Sequence, residues 1–349
     1  MSRWGQCLAA AAVGLIASTA APGFAQSVAD FYKGKQIDLY VGSNPGGGYD
    51  AYARLVARHM PKHLPGNPGM VVKNMAGAGS LTMTNHVANI APKDGTAIGA
   101  PQNSVPVERL LYLLSPGGKT AMYDAKALNW LGSASRDVYL LITSDTVPVK
   151  TLADATKTEI IVGSAGANTE HSITARLLNE IFGTKLKVVT GYPSATEIML
   201  AIERGEVQGN AGRSYASLIS GWPEWVSSGK VRMLVQMAMK PHPDLKSVPF
   251  ALDLVKSPED KQVLELVFSK YQMSRLFFAP AAVPKDRVQA LRAAFERSLG
   301  DPALLEDAKK QRLDIDAVTG AEVEELVTRL YETPEAMLKR ARTILGTEP

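Results

Sequence analysis

The sequence predicts an α/β protein with two lobes, each a mainly parallel sheet flanked by helices. Strand-like and helix-like segments alternate along most of the 349 residues, and this alternation favours parallel strands joined by right-handed crossovers. The length suits two lobes, because a single hydrophobic core rarely grows beyond about 250–300 residues. Loops rich in glycine and small polar residues follow strands in both halves of the chain.

The first 25 residues have the pattern of a secretory signal peptide. Arg3 supplies the positive start, residues 8–17 are mostly apolar, and Gly23 and Ala25 are the small residues before a cleavage site. The apolar run is shorter than the about 20 residues that span a bilayer. We therefore expect a secreted protein cleaved after Ala25. Because Cys7 is the chain's one cysteine, the mature protein is expected to fold without disulfides.

The first lobe is predicted to begin with a βαβαβ run. A helix over residues 49–59 presents Tyr52, Leu55, Val56 and His59 on one face and ends before a proline, and a second helix follows at 80–89. The predicted strands are residues 37–41, 70–73 and 97–100.

The second half of the chain continues the alternation. Helices are predicted at 170–182 and 195–204, after Pro284, and after a capping box formed by Thr319 and Glu322. The predicted strands are residues 139–143, 159–162, 186–190, 231–237 and 274–279, with a further strand-like stretch at 206–210.

Two long connections, near residues 138 and 240, are the expected crossings between the lobes. They assign residues 26–138 and 241–349 to lobe I and residues 139–240 to lobe II.

Four loops are candidates for a binding site. They cover residues 43–50, 74–80, 101–104 and 164–169, and each comes before a predicted or possible helix. In a parallel α/β sheet such loops meet at the carboxyl ends of the strands, where ligands bind. Glycine allows close approach, and the N–H groups of the next helix favour an anion. An ordinary tight turn is the alternative for any single loop, but four together predict an anion site.

The predicted ligand-binding residues come from these loops and from the end of one strand in lobe II. They are Asn44, Gly47, Gly48, Tyr49, Asp50, Ala78, Gly79, Ser80, Asn103, Ser104, Asn168, Thr169, His171, Arg213 and Ser214.

Three of these side chains have more than one interpretation. Asp50 lies in a helix's first turn, where it compensates the dipole, orients the glycine loop or contacts a ligand; we favour loop orientation. His171 either donates to a ligand or caps its helix. Arg213 follows the stretch 206–210 and is either a surface residue or a bidentate partner for a carboxylate.

Enzyme chemistry finds little support. Residues 46–51 fit the dinucleotide fingerprint, but the second strand ends without an acidic residue for a ribose, and there is no phosphate-binding P-loop. Ser164 lacks the first glycine of a nucleophile elbow. His59 and His63 are separated by Pro61, so a zinc site is not expected.

Scattered Lys and Arg residues argue against nucleic acid as a partner. We expect no catalytic residues, metal or cofactor, and retain a secreted hydrolase that uses the same cleft as the rival interpretation.

A set of short motifs resembles the substrate-binding receptors of the tripartite tricarboxylate transporters, the Bug family. The resemblance covers essentially the whole mature chain, and its motifs occur in order at residues 32–35, 46–50 with Arg54, 65–68, 74–79 and 91–95. It implies a type II periplasmic binding fold whose two lobes close on a di- or tricarboxylate or related organic acid. It also implies that loops 44–50 and 77–80 hold one carboxylate through backbone groups and waters.

The second lobe departs from the family pattern. Many members have proline-tyrosine-lysine-glycine where this chain has residues 191–194, and an aspartate near residues 211–214. The carboxylate anchor is therefore expected, while the ligand's identity stays open. We predict a monomeric periplasmic receptor that delivers a carboxylate to membrane transporter subunits; a sensor subunit is a third possibility.

Overall fold

The computed structural model describes residues 26–112, 121–167 and 169–348, which form two sheets flanked by helices. The predicted signal peptide and Asn168 lie outside the described residues. No helix in the described ranges is both long and apolar enough to span a bilayer.

The first lobe is built on a six-stranded sheet with the order β11-β4-β10-β3-β1-β2. By their pairing, β1 to β4 run in one direction and β10 and β11 run in the opposite direction. The strands are β1 (Gln36–Val41), β2 (Gly69–Asn74), β3 (Ala97–Ala100), β4 (Asn129–Ser133), β10 (Leu276–Ala279) and β11 (Val318–Thr319).

The second lobe is built on a five-stranded sheet with the order β7-β6-β8-β5-β9. Only β5 runs against the other four strands. Both sheets therefore combine parallel and antiparallel neighbours rather than being mainly parallel, and the predicted two-lobe α/β class is confirmed. The strands are β5 (Tyr139–Ser144), β6 (Ile160–Ser164), β7 (Leu186–Thr190), β8 (Gly209–Ser214) and β9 (Val231–Met237).

Helices cover both faces of the two sheets. They are α1 (Val28–Tyr32), α2 (Gly48–His59), α3 (Leu81–Asn89), α4 (Glu108–Leu111), α5 (Leu152–Ala155), α6 (Glu170–Phe182), α7 (Ala195–Glu203), α8 (Tyr215–Gly221), α9 (Pro223–Ser227), α10 (Ala251–Leu254), α11 (Pro258–Phe268), α12 (Lys285–Leu299), α13 (Pro302–Lys310), α14 (Gly320–Tyr331) and α15 (Glu335–Leu345).

Alternating burial explains why β1 is a strand between two layers of helices. Ile37, Leu39 and Val41 pack into the cluster that contains α2 and α12, whereas Tyr40 packs with α3 on the other face. In α2 the predicted face is largely buried, since Tyr52 and Leu55 are at most 1% exposed. The helix therefore holds the loop that precedes it against the end of β1.

Two elements differ from the sequence prediction at positions that matter for the site. Helix α3 begins at Leu81 rather than Ser80, because Ser80 has a left-handed backbone with φ of 76°. The stretch predicted at 206–210 is β8 (Gly209–Ser214), so Arg213 lies within the strand rather than after it.

The lobes are joined by two chain segments that pair with each other, residues 133–137 and 271–275, which we call the hinge ribbon. Backbone N–H groups of Ala134 and Asp137 donate to the carbonyl oxygens of Arg275 and Tyr271, at 2.9 and 3.0 Å. The sequence placed the first crossing near residue 138, directly after the first of these two segments. The second expected crossing was near 240, yet the chain keeps packing along β9 as far as α10 before it reaches the ribbon.

Candidate functional site

The glycine loop after β1 is organised by one buried carboxylate. Asp50 is 3% exposed and accepts hydrogen bonds from the Gly46 N–H at 2.9 Å, Arg54 Nε at 2.8 Å and Asn74 Nδ2 at 2.8 Å. Burial alone would raise the pKa of Asp50, but these hydrogen bonds hold it below its usual value. Asp50 therefore fixes the loop, which is the role that the sequence favoured.

The following residues of this loop face the other lobe. A Cβ added to Gly48 would lie 2.6 Å from Ser217 Oγ in α8, whereas one added to Gly47 would meet only the Asn44 carbonyl oxygen, at 4.0 Å. Tyr49 lies next to Gly48 and Asn44 is exposed at the tip. The glycine loop thus touches the second lobe at Gly48, with free space around Gly47.

The loop after β2 has a strained backbone. Its successive residues Gly77, Ala78, Gly79 and Ser80 all have positive φ, at 139°, 47°, 60° and 76°. Two of them are not glycine, and such conformations persist where the surrounding structure imposes them, often at binding sites.

Ser80 ties this loop to its neighbours. Its hydroxyl donates to the Gly42 carbonyl at 2.8 Å and accepts from the Gln102 N–H at 3.1 Å. The ends of β1, β2 and β3 are therefore joined at Ser80.

The loop after β3 reaches both lobes. The Asn103 N–H donates to the Tyr49 hydroxyl at 3.4 Å, and its side-chain amide donates to the hydroxyl of buried Tyr139 at 3.2 Å. Ser104 lies beside the second loop, since its Oγ would be 4.0 Å from a Cβ on Gly79. The three first-lobe loops therefore form one continuous surface that faces β5.

The fourth loop is held by its own hydroxyl groups. Ser164 Oγ lies 2.9 Å from Thr169 Oγ1 and accepts from Ser172 Oγ at 2.7 Å, while Thr169 also donates to the Gly166 carbonyl. The Ser164 hydroxyl thus belongs to a loop network.

Arg213 is buried in the second lobe with few partners. It is 4% exposed, donates from Nη2 to the Ser217 carbonyl at 2.9 Å and lies 4.8 Å from the centre of the Trp222 ring. Within the described ranges its buried Nε has no hydrogen-bond partner and no carboxylate lies within ion-pair distance. Burial lowers the pKa of Arg213 to about 10, which leaves it charged at pH 7. The surface interpretation of Arg213 is therefore wrong.

His171, in the first turn of α6, is close enough for the positive charge of Arg213 to affect its pKa. Burial and the Arg213 charge lower the pKa of His171 to about 4, so the ring is neutral at pH 7. Its buried Nδ1 has no partner among the described residues. A neutral imidazole at this position can donate or accept a hydrogen bond.

A buried ion pair that sequence reasoning missed joins the lobes beside the glycine loop. Arg275 Nη2 lies 3.0 Å from Asp137 Oδ2 and 3.2 Å from Ser214 Oγ, and the side chains of both ions are 2% exposed. The guanidinium also lies 4.7 Å from the Tyr49 ring centre. No local pattern marks Arg275, because its partners come from three distant segments.

The structure brings four of the predicted residues to the contact between the lobes. Gly48, Tyr49, Asn103 and Ser214 are linked by direct contacts or through Arg275 and Ser217. An open groove of about 670 Å³ lies elsewhere, whereas one of about 560 Å³ is lined by Asp137, Val138 and Tyr215 beside this contact. No described residue of the predicted set lines either groove.

The histidines considered for a metal site are engaged otherwise. His59 lies 3.0 Å from Asp307 and His63 lies 2.7 Å from Asp301, both in or next to α13. Over the described ranges, no group of three or more His, Cys, Asp or Glu side chains is arranged to hold a metal ion.

Solved structures with the same architecture are binding proteins. The periplasmic binding protein BugD has a TM-score of 0.67 at 21% identity, covering 89% of this chain and 98% of its own. MatC from Rhodopseudomonas palustris with bound malate has a TM-score of 0.64 at 19% identity, covering 89% and 99%. The fold is therefore that of two-lobe periplasmic binding proteins.

Sequence comparison then gives the family. The model of the tripartite tricarboxylate transporter family receptor matches residues 52–340, so this chain belongs to that family of solute-binding receptors. A UPF0065 protein from the tcbD-tcbE intergenic region of Pseudomonas sp. strain P51 is 24% identical over 297 residues, which are 84% of this chain and 81% of the relative.

Proposed function

We propose that this chain is a periplasmic receptor, not an enzyme, which binds a small carboxylate between its lobes and delivers it as a monomer to the membrane subunits of a tripartite transporter. The observation that carries the proposal is the buried charge of Arg213. The Asp137 carboxylate acts on Arg213 only from beyond ion-pair distance. Burying a cation without a direct ion pair is costly, and a buried arginine is normally matched by an anion. A ligand carboxylate supplies that anion, and a guanidinium matches it through two hydrogen bonds.

The first lobe supplies the other half of the proposed site. The loops before α2 and α3 present backbone N–H groups at the first turns of helices of 12 and 9 residues, whose dipoles favour a negative group. Free space at Gly47 and the strained backbone at residues 77–80 support an anion that approaches the main chain. Membership in a receptor family favours this function over a hydrolase.

The lobe boundaries and the leader are part of the proposal. Residues 1–25 are a cleaved signal peptide, residues 26–138 and the C-terminal part form the first lobe, and the second lobe begins at 139. Because residues after 240 pack along β9, we place the second lobe's end near α10. The hinge ribbon then lets the lobes close on the ligand.

A panel of carboxylates tests the function. Malate, which MatC holds, is compared with citrate and with the monocarboxylate butyrate by thermal shift and calorimetry. We expect a di- or tricarboxylate to bind and to return unchanged from the protein. Recovery of a chemically altered acid would contradict a receptor, and so would the absence of binding to any member of the panel.

Arg213→Ala tests the site itself. Charge-assisted hydrogen bonds are worth about 1.5–3 kcal/mol each, so the affinity for malate should fall roughly tenfold to a hundredfold, and that for butyrate much less. Arg232→Ala is the matched control, since Arg232 in β9 also donates to a backbone carbonyl, that of Val147 at 2.7 Å. Equal losses for malate in both variants, or none for Arg213→Ala, would exclude Arg213 as the anchor.

A further inference from the structure

A second buried ion pair lies next to the proposed ligand residues. Lys270 is fully buried, and its ammonium donates to Glu170 Oε2 at 2.7 Å and to the Tyr112 hydroxyl at 3.0 Å. Tyr271 donates its hydroxyl to the other oxygen of Glu170, and Thr174 Oγ1 lies 3.2 Å from the same atom. Both carboxylate oxygens of Glu170 are thus hydrogen-bonded, and its side chain is 17% exposed.

These residues come from three parts of the chain that meet at the hinge. Glu170 is the first residue of α6 in the second lobe, Tyr112 follows α4, and Lys270 precedes Tyr271 of the hinge ribbon. The Tyr271 ring stacks on Tyr139 at the start of β5, with 4.2 Å between ring centres and 19° between planes. We call Glu170, Lys270 and Tyr271 the hinge clasp.

The position of Glu170 in the chain makes its charge important for an anion site. It lies between Thr169 and His171, two of the predicted ligand residues, and an unmatched carboxylate there would repel a carboxylate ligand. Burial opposes the charge of Glu170, but the Lys270 ammonium and the hydrogen bonds keep its pKa below the usual value. Lys270 therefore cancels a negative charge beside the cleft.

From this geometry we infer that Glu170 is a positioning residue. Lys270 and Tyr271, at the start of the hinge ribbon, hold Glu170, which fixes the first turn of α6. Closure of the lobes is thereby coupled to the placement of Thr169 and His171. The part of this inference that concerns the ligand rests on the proposed function. The coupling of the ribbon to α6 does not.

The deciding variant is the double substitution Glu170→Gln/Lys270→Met, which removes both charges. Replacing a buried ion pair by neutral residues often leaves stability nearly unchanged, whereas either single change leaves a lone buried charge. We expect the double variant to melt close to the wild type, yet to bind malate at least tenfold more weakly at 25 °C.

Two measurements without carboxylate follow the clasp directly. Hydrogen exchange of a peptide spanning the start of α6 should become faster in the double variant, and small-angle scattering should show a larger radius of gyration. The control is Glu306→Gln/Lys310→Met, which removes an exposed ion pair of 2.8 Å in α13 and should change none of these quantities.

Each outcome separates the two claims. A double variant with wild-type malate affinity, exchange and scattering would make Glu170 merely structural and overturn the inference. If the wild type binds no carboxylate of the panel, the proposed function fails, while exchange and scattering still decide whether the clasp holds α6 to the hinge.

Discussion

The two halves of the proposed site recognise charge by different means. The first-lobe half consists of main-chain loops: glycines, a strained turn at residues 77–80, and Asp50, which is occupied in holding the loop. The second-lobe half relies on side chains, chiefly buried Arg213 and half-buried His171, with Arg275 and Lys270 in ion pairs around them.

This difference separates general from selective recognition. Backbone N–H groups at helix N-termini can bind many different anions, because they contact only the negatively charged group of the ligand. A buried guanidinium has one position and one orientation. It therefore selects which chemical group the ligand carries at the end that lies in the second lobe. We therefore expect substitutions in the main-chain loops of the first lobe to change affinity for all acids, and substitutions of Arg213 or His171 in the second lobe to change selectivity.

Among the tests of this comparison between the two lobes, we expect the largest loss of stability for a substitution at the hinge. Arg275→Met leaves Asp137 buried without its cation, and breaking a buried ion pair in this way costs about 3–5 kcal/mol. Urea unfolding should show this loss as a lower midpoint.

The double variant Arg275→Met/Asp137→Asn serves as the control for that experiment. It removes both charges and should recover part of the stability. Equal losses in the single and double variants would show that the charge pair itself contributes nothing.

A smaller effect is expected where the two halves touch. In Gly48→Ala the new Cβ would lie 2.6 Å from Ser217 Oγ, so the closed arrangement is strained while each lobe remains unchanged. We expect about tenfold weaker malate binding, equivalent to about 1.4 kcal/mol, with little change in melting temperature.

Ser217→Ala in the same chain removes the oxygen that the new Cβ meets. Calorimetry should therefore show recovered affinity in Gly48→Ala/Ser217→Ala. A double variant as weak as Gly48→Ala would argue that the lobes do not close at this contact.

The smallest effect is expected at Asp50. Because its folded pKa lies below that of the unfolded chain, its contribution is present above about pH 4 and is lost as the pH falls through the folded value. Asp50→Asn should lower stability at pH 7 by about 1 kcal/mol, the scale of one hydrogen bond. Melting curves from pH 7 to pH 3 should then show a smaller acid-induced loss in the variant than in the wild type.

The sequence predicted the strands and helices around the first-lobe loops well because their signals are local. Glycine at 46–48, the apolar period of α2 and the strand preceding it lie within about one βα unit, and such patterns follow from backbone geometry. The predicted strand 97–100 coincides with β3. The loop-orienting role of Asp50 also followed from its position in a first turn.

The remaining features depend on distant partners. Lys270 lies in a polar stretch whose composition suggests an exposed turn. It is nevertheless buried, and its ammonium pairs with Glu170, which is 100 positions away in the chain. Strand β4 (Asn129–Ser133) escaped prediction because asparagine and glycine disfavour strands, and Gly132 adopts a φ of 142° against the Val318 carbonyl. Neither feature has a local signal.

The strand order of the first sheet also bears on how the chain acquires its structure. Strand β10 lies between β3 and β4, and β4 pairs only with β10 and β11 among the described strands. That sheet therefore stays incomplete until β10 and β11, which end at residues 279 and 319, have paired with it. Every strand of the second sheet lies within residues 139–237. Contacts between near neighbours in sequence form sooner than distant ones. During folding, we expect the second lobe to form first. The binding site is expected to form last, when the C-terminal third supplies β10 and β11 and completes the sheet of the first lobe.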